Sequence, residues 1–134
     1  MADSNVTLVG RLTHDPELKF LNSGAASVRV NIAVEKRWQN RQTQEWETRV
    51  SFFTLIVWNK MAENVAASLK KGYRVVVFGA LEQRSWETDT GEKRSVVEVV
   101  VEAIGPDLRF VTAELHGGEH AAPASAPGTD EDPF

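Results

Sequence analysis

The chain has 134 residues, 42% of them hydrophobic, with a formal charge of −4 and no cysteine. This length suits one domain with a modest core and a tail, and the lack of cysteine excludes disulfides, thiol nucleophiles and thiolate metal sites while fitting a cytoplasmic setting. No apolar run approaches the ~20 residues of a membrane-spanning helix, and residues 1–5 lack the basic-then-apolar pattern of a secretory signal.

The first predicted strand lies where Val6, Leu8 and Gly10 alternate with Thr7, Val9 and Arg11. His14-Asp15-Pro16 and Asn22-Ser23-Gly24 read as turns, with His14 a solvated turn residue. Val28, Val30, Ile32 and Val34 then alternate with Arg29, Asn31 and Ala33, the period of a strand with one buried face. A polar stretch, 35–48, precedes the apolar run 50–58, and together they predict a long hairpin with a polar loop. Asn59 can cap a helix and Gly72 can end it as its C′ residue; Met61, Val65 and Leu69 form its apolar stripe. A strand from Val75 toward Trp86, a turn at Asp89-Thr90-Gly91 and a strand over 95–104 follow. Pro106 breaks this last strand, and Leu108-Arg109-Phe110-Val111 can add a short final one.

Three strands, one helix and two strands predict an all-β fold with one short helix, a five-stranded Greek-key barrel of the OB type. Residues 1–115 form this domain. Residues 116–134 are rich in Ala, Pro and Gly and are expected to be disordered. The tail also explains the net charge. It holds Glu119, Asp130, Glu131 and Asp132 and no Lys or Arg, leaving fifteen acidic residues against fifteen basic ones in 1–115.

The residue types give little support to an enzyme. His116 and His120 fall in the tail, the glycines lack phosphate-loop spacing, and no His/Asp/Glu cluster suggests a metal, so no catalytic residue, metal or cofactor is expected. The tryptophans are more informative. Trp38 sits among Lys36, Arg37 and Arg41; Trp58 meets Asn59-Lys60; Trp86 follows Arg84. Trp46, between Glu45 and Glu47, reads as packing within the loop. Indoles beside cations at strand ends suit single-stranded nucleic acid, whose bases stack on aromatic faces while cations track phosphates. Phe52 and Trp58 share one strand face, by their even separation, and Phe53 falls on the other.

On these residues the sequence resembles the bacterial single-stranded DNA-binding proteins of replication and repair. The resemblance is carried by Val6-Thr7-Leu8-Val9-Gly10-Arg11-Leu12 with Asp15-Pro16-Glu17-Leu18, by Trp58-Asn59-Lys60-Met61-Ala62-Glu63, by Leu69-Lys70-Lys71-Gly72, and by Trp86 with the hairpin after it. Residues 99–106 are similar to the actinobacterial branch. The resemblance implies base stacking by Trp38, Phe52, Trp58 and Trp86, and phosphate contacts from Lys60, Lys71, Arg84 and Arg94, with Arg37, Arg41 and Arg49 as additions. It implies a homotetramer, with residues 108–113 as an extra strand clamping subunits together. Phe52 replaces a tryptophan that many members carry, and Phe53 stands where a histidine is often found. The tail is about half the length the resemblance leads one to expect, as in a secondary paralogue.

The acidic tip, Asp130-Glu131-Asp132-Pro133-Phe134, is expected to dock DNA replication and repair proteins. Its acids suit a basic rim, and its ring and α-carboxylate suit one pocket. Two other functions fit the residues: a protein-interaction adaptor built on the barrel, and an RNA-binding module. Stacking and phosphate contacts alone do not distinguish DNA from RNA.

Overall fold

Alternation of buried and exposed side chains builds nearly every strand of the computed structural model, which describes residues 3–117. The elements are β1 (Asn5–Leu12), β2 (Glu17–Phe20), β3 (Ala26–Gln39), β4 (Trp46–Trp58), α1 (Asn59–Ser68), β5 (Arg74–Glu87) and β6 (Lys93–Pro106). In β3, Ala26, Val28, Val30 and Ile32 point inward; in β4, Leu55 and Val57 do so. Val75 and Val77 of β5 and Val99 and Val101 of β6 complete the wall, and Ala62, Val65 and Leu69 plug one side of the core. Met61 and Phe53 pack against this core while remaining partly exposed.

The sheet order is β1-β5-β6-β4-β3-β2, and β1 also pairs with β3. That second pairing (Arg11 with Ala33, Leu12 with Ile32) closes five strands into a barrel and leaves β2 as an outer edge strand beside β3. The β4–β6 contact is parallel and limited to Leu55–Val99 and Ile56–Val100, while the other pairings are antiparallel. This is the OB-fold. At Gly79 the strands approach so closely that a Cβ would lie 2.3 Å from the Val100 carbonyl oxygen. Only glycine fits there. The β5–β6 register shifts beside it, between Phe78 and Gly79.

Two hairpins reach beyond the barrel. One is the β3–β4 ribbon, paired from Ser27–Trp58 to Gln39–Trp46. The other is the outer half of β5–β6, which turns at Thr88–Gly91, where Gly91 adopts φ 90° and donates to the Thr88 carbonyl.

Three expectations are corrected. Asn59 does not cap α1; it is the first helical residue, and Trp58 occupies the cap position with no side-chain hydrogen bond. The strand runs directly into the helix, and Asn59 takes φ 61° to make that bend, a conformation asparagine tolerates better than most residues. Gly72 is not the C′ residue; it lies in the next turn, closed by the Tyr73 N–H on the Lys70 carbonyl. Residues 108–113 form no strand. Within the single chain they make a turn and an irregular segment that follows Asp107, itself bound to Arg74 at 2.6 Å, and in which Phe110 lies against Arg74 and Arg109. No strand within the described residues offers these backbone groups a partner.

Candidate nucleic-acid interface

The side chains that point away from the core on β3, β4, β5 and β6 form one face. Cross-strand register sets its order. Ser27 faces Trp58, Arg29 faces Ile56, Asn31 faces Thr54 and Ala33 faces Phe52. Ile56 adjoins Val100 of β6, and the row continues along β6 through Glu98, Val96 and Arg94, which stand opposite Glu82, Arg84 and Trp86 of β5. A groove of about 910 Å3 runs across this face between the β1–β2 turn and β5. Four carboxylates line it (Asp15, Glu17, Glu82, Glu98) against three cations (Lys19, Arg29, Arg84), with Trp58, Ile56 and Val100 among the apolar part of its lining.

The aromatic residues divide by strand parity. Trp46, Phe52 and Trp58 recur six residues apart on one face of β4 and are 62%, 70% and 39% exposed. A core role is therefore excluded for Phe52 and Trp58. Trp46, expected to pack within the loop, belongs to this exposed row. Trp38 has the opposite parity on β3; it is half-buried on the other face of the ribbon. Trp86, on the β5–β6 ribbon, is 41% exposed.

Three of the arginines expected to contact phosphate lie over indoles in the free protein. Arg37 is 5.3 Å from the Trp46 ring centroid, Arg49 is 5.7 Å from Trp38, and Arg84 is 4.8 Å from Trp86. Such cation–π contacts contribute ~0.5–1 kcal/mol each at exposed sites. Of the remaining basic residues, Arg41 stands at the tip of the β3–β4 turn, where its carbonyl accepts from the Gln44 side chain. Lys60 pairs with Glu63 at the start of α1, and Arg94 pairs with Glu92 at the β5–β6 turn. Lys71 lies in the turn after α1, its backbone N–H held by Asp15 at 2.8 Å.

Two functional features escape a reading of the sequence alone. The first is an ion triad on the groove floor. Glu98 accepts from Arg29 at 2.9 Å and from Arg84 at 3.3 and 3.4 Å. Its side chain is only 8% exposed, against 55% for Arg29 and 52% for Arg84. The Arg84 hydrogen bond, opposed by burial and helped by Arg29, holds the Glu98 carboxyl below its ordinary range. Its one signal in the sequence is a lone charge inside Val96-Val97-Glu98-Val99-Val100-Val101. The second feature is His14, which is not solvated but half-buried in the groove wall. The Asp15 carbonyl can only accept, so Nδ1 donates to it, and Nε2 accepts from the Asn31 amide at 3.0 Å. Asn31 in turn accepts from Thr54 at 2.9 Å.

Among the described residues no group of three or more His, Asp or Glu could hold a metal, and no helix is long and apolar enough to cross a membrane. The tip Asp130-Glu131-Asp132-Pro133-Phe134 lies outside the described residues. An OB barrel with an open groove lined by Trp58, Arg29 and Arg84, and with Trp46, Phe52 and Trp86 exposed beyond it, presents an extended surface of aromatic and cationic side chains. The chain belongs to the single-strand binding protein family, whose family model matches residues 3–107. A single-stranded DNA-binding protein of Corynebacterium glutamicum is 51% identical over 116 residues, 86% of this chain and 52% of that relative. One from Mycobacterium bovis is 46% identical over 141 residues, covering 96% of this chain and 86% of its own length. The chain thus spans about half the length of one relative and most of the other. A solved Plasmodium falciparum SSB complex with single-stranded DNA shares the fold, with a TM-score of 0.72 over 79% of this chain and 96% of that one at 23% identity.

Proposed function

We propose that this protein binds single-stranded DNA without sequence preference and without chemically altering it, protecting it during replication, recombination and repair. The observation that carries this reading is the continuous outward face from Trp46, Phe52 and Trp58 to Arg84 and Trp86, open along its length as a flexible strand requires. Bases stack on exposed rings, and the cations at the ribbon tips and helix start, Arg37, Arg41, Arg49, Lys60 and Arg94, follow phosphates. Family membership and the names of the relatives support the same ligand. The protein acts in the cytoplasm, at the nucleoid, as a homotetramer. Residues 116–134 form a separate tail, and its Asp130-Glu131-Asp132-Pro133-Phe134 stretch recruits replication and repair proteins through a basic rim and an apolar pocket on the partner.

The test is a tryptophan-fluorescence titration with oligo(dT), poly(U) and duplex DNA across a salt series. Strong quenching by oligo(dT), weak quenching by duplex and a log–log salt slope near −0.7 per phosphate contacted are expected. Equal response to duplex refutes the single-strand reading, and preference for poly(U) replaces DNA by RNA. A sedimentation mass near one 14.9 kDa chain refutes the tetramer.

A further inference from the structure

The groove floor is an odd place for a buried carboxylate if its purpose is to attract a polyanion. Its lining holds more carboxylates than cations, so as a whole it offers phosphate no attractive field. Glu98 sits beneath both arginines of that floor, covered by them and hydrogen-bonded to each. Arg84 is thereby held at two ends, its Nε and Nη2 toward Glu98 and its guanidinium plane over Trp86. A guanidinium so engaged has part of its charge neutralised, but it keeps a flat face and unused N–H donors.

We propose that Glu98 is a positioning residue that commits Arg29 and Arg84 to the bases, making the groove floor a base-contact subsite and leaving phosphates to the cations at its rim. The Arg84–Trp86 pair is then a prebuilt platform on which a base stacks. Arg29, the triad member on β3, next along the outward face to the Ser27–Trp58 pair, offers edge donors to the neighbouring base. This rests on the single-strand reading given above and specifies which part of the ligand the floor receives. Preassembly lowers the ordering cost of binding, since the long arginine side chains are fixed before the strand arrives.

Two sets of measurements decide it. In the free protein, the Arg84 Nε–H should be ordered in a 15N relaxation experiment, close to the backbone, and should become mobile in Glu98→Gln while thermal unfolding shows the variant folded. An Arg84 Nε–H as mobile in the wild type as that of Arg41 overturns positioning. With oligo(dT), the sign of the Glu98→Gln effect is diagnostic. Deleting a negative charge from the groove tightens binding if Glu98 acts only through its field. Loss of positioning weakens binding, by about tenfold for one charge-assisted hydrogen bond. Tighter or unchanged binding overturns the proposal. Arg84→Lys sits at a half-exposed position and keeps the charge, so it supplies a variant with little risk to folding. It should lose affinity about tenfold with an unchanged salt slope, because an ammonium lacks the planar face. Wild-type affinity in Arg84→Lys makes Arg84 a phosphate contact and refutes the base subsite. If the wild type fails to bind oligo(dT), the single-strand reading and the base subsite both fall, and the relaxation measurement alone decides whether Glu98 positions Arg84.

Discussion

Replacing Phe52 by alanine separates a ligand-stacking ring from a core ring. Phe52 is 70% exposed, so of the ~200 Å2 a phenylalanine can bury only about 60 Å2 is covered, worth ~1.5 kcal/mol at ~25 cal/mol per Å2. That figure is an upper estimate, because the unfolded chain also covers part of the ring. If a base stacks on the ring, the same substitution removes ~1–3 kcal/mol of binding, about 5- to 150-fold in affinity. Urea denaturation measures the first quantity and oligo(dT) titration the second, with the four tryptophans intact as reporters. A stability loss above ~3 kcal/mol, the scale of a buried aromatic, means that the ring is covered in solution and refutes the exposed-face argument. Unchanged affinity refutes stacking at Phe52. Phe52→Trp should preserve stability and deepen the quench, since nothing needs to repack around an exposed ring.

Gly79→Ala should destabilise the barrel by about 3 kcal/mol or more in urea denaturation, because the added carbon meets the Val100 carbonyl at 2.3 Å; Gly105→Ala, which meets nothing within 4 Å, should be close to neutral. Equal effects at the two glycines would refute the close-approach reading of Gly79. Glu98 also predicts an acid limb. Its carboxyl is held below the ordinary value of 4.5 in the folded protein, so its contribution to stability is complete above that value and is lost as pH falls through the lower folded one. Urea midpoints measured down through this window should fall less steeply in Glu98→Gln than in the wild type. Asp107, held low by its hydrogen bond from Arg74, acts in the same direction, and Asp107→Asn measures its part.

Much of the barrel was legible because β3, β4 and β5 alternate cleanly and face solvent on one side. Val28, Val30, Ile32 and Val75 are inward by parity alone, and the Met61-Val65-Leu69 stripe lies on the packed side of the helix. The short strand β2 was not legible. Its four residues carry no alternation and end at an exposed Phe20 between two turns, and β3 alone supplies its pairing. The short final strand expected over residues 108–111 is absent from the single chain for the same reason. Leu108, Phe110 and Val111 look like strand residues, yet apolar character does not make a strand without a neighbour to accept its hydrogen bonds. In the site, Trp58 and Trp86 were visible through their neighbouring cations. Trp46 was not, because flanking glutamates hid it and its cation, Arg37, comes from the facing strand. The Arg29–Glu98 bond joins residues 69 apart in sequence, a proximity that only the closed barrel creates.

The seam between β1 and β5 has a consequence during synthesis. Thr7 pairs with Phe78 and Leu8 with Val77, so β1 leaves the ribosome long before the strand that will flank it exists. At ~5–20 residues per second that interval is on the order of 4–14 s. The β3–β4 hairpin, whose partners are near in sequence, can form on the microsecond scale as soon as it emerges. β1 meanwhile has β3 as its early neighbour, and only over Arg11 and Leu12. The amino-terminal strand therefore waits longest for its main partner and is the one most open to pairing with another nascent chain, while the ring itself closes later still, when Val99 and Val100 of β6 reach Leu55 and Ile56 of β4.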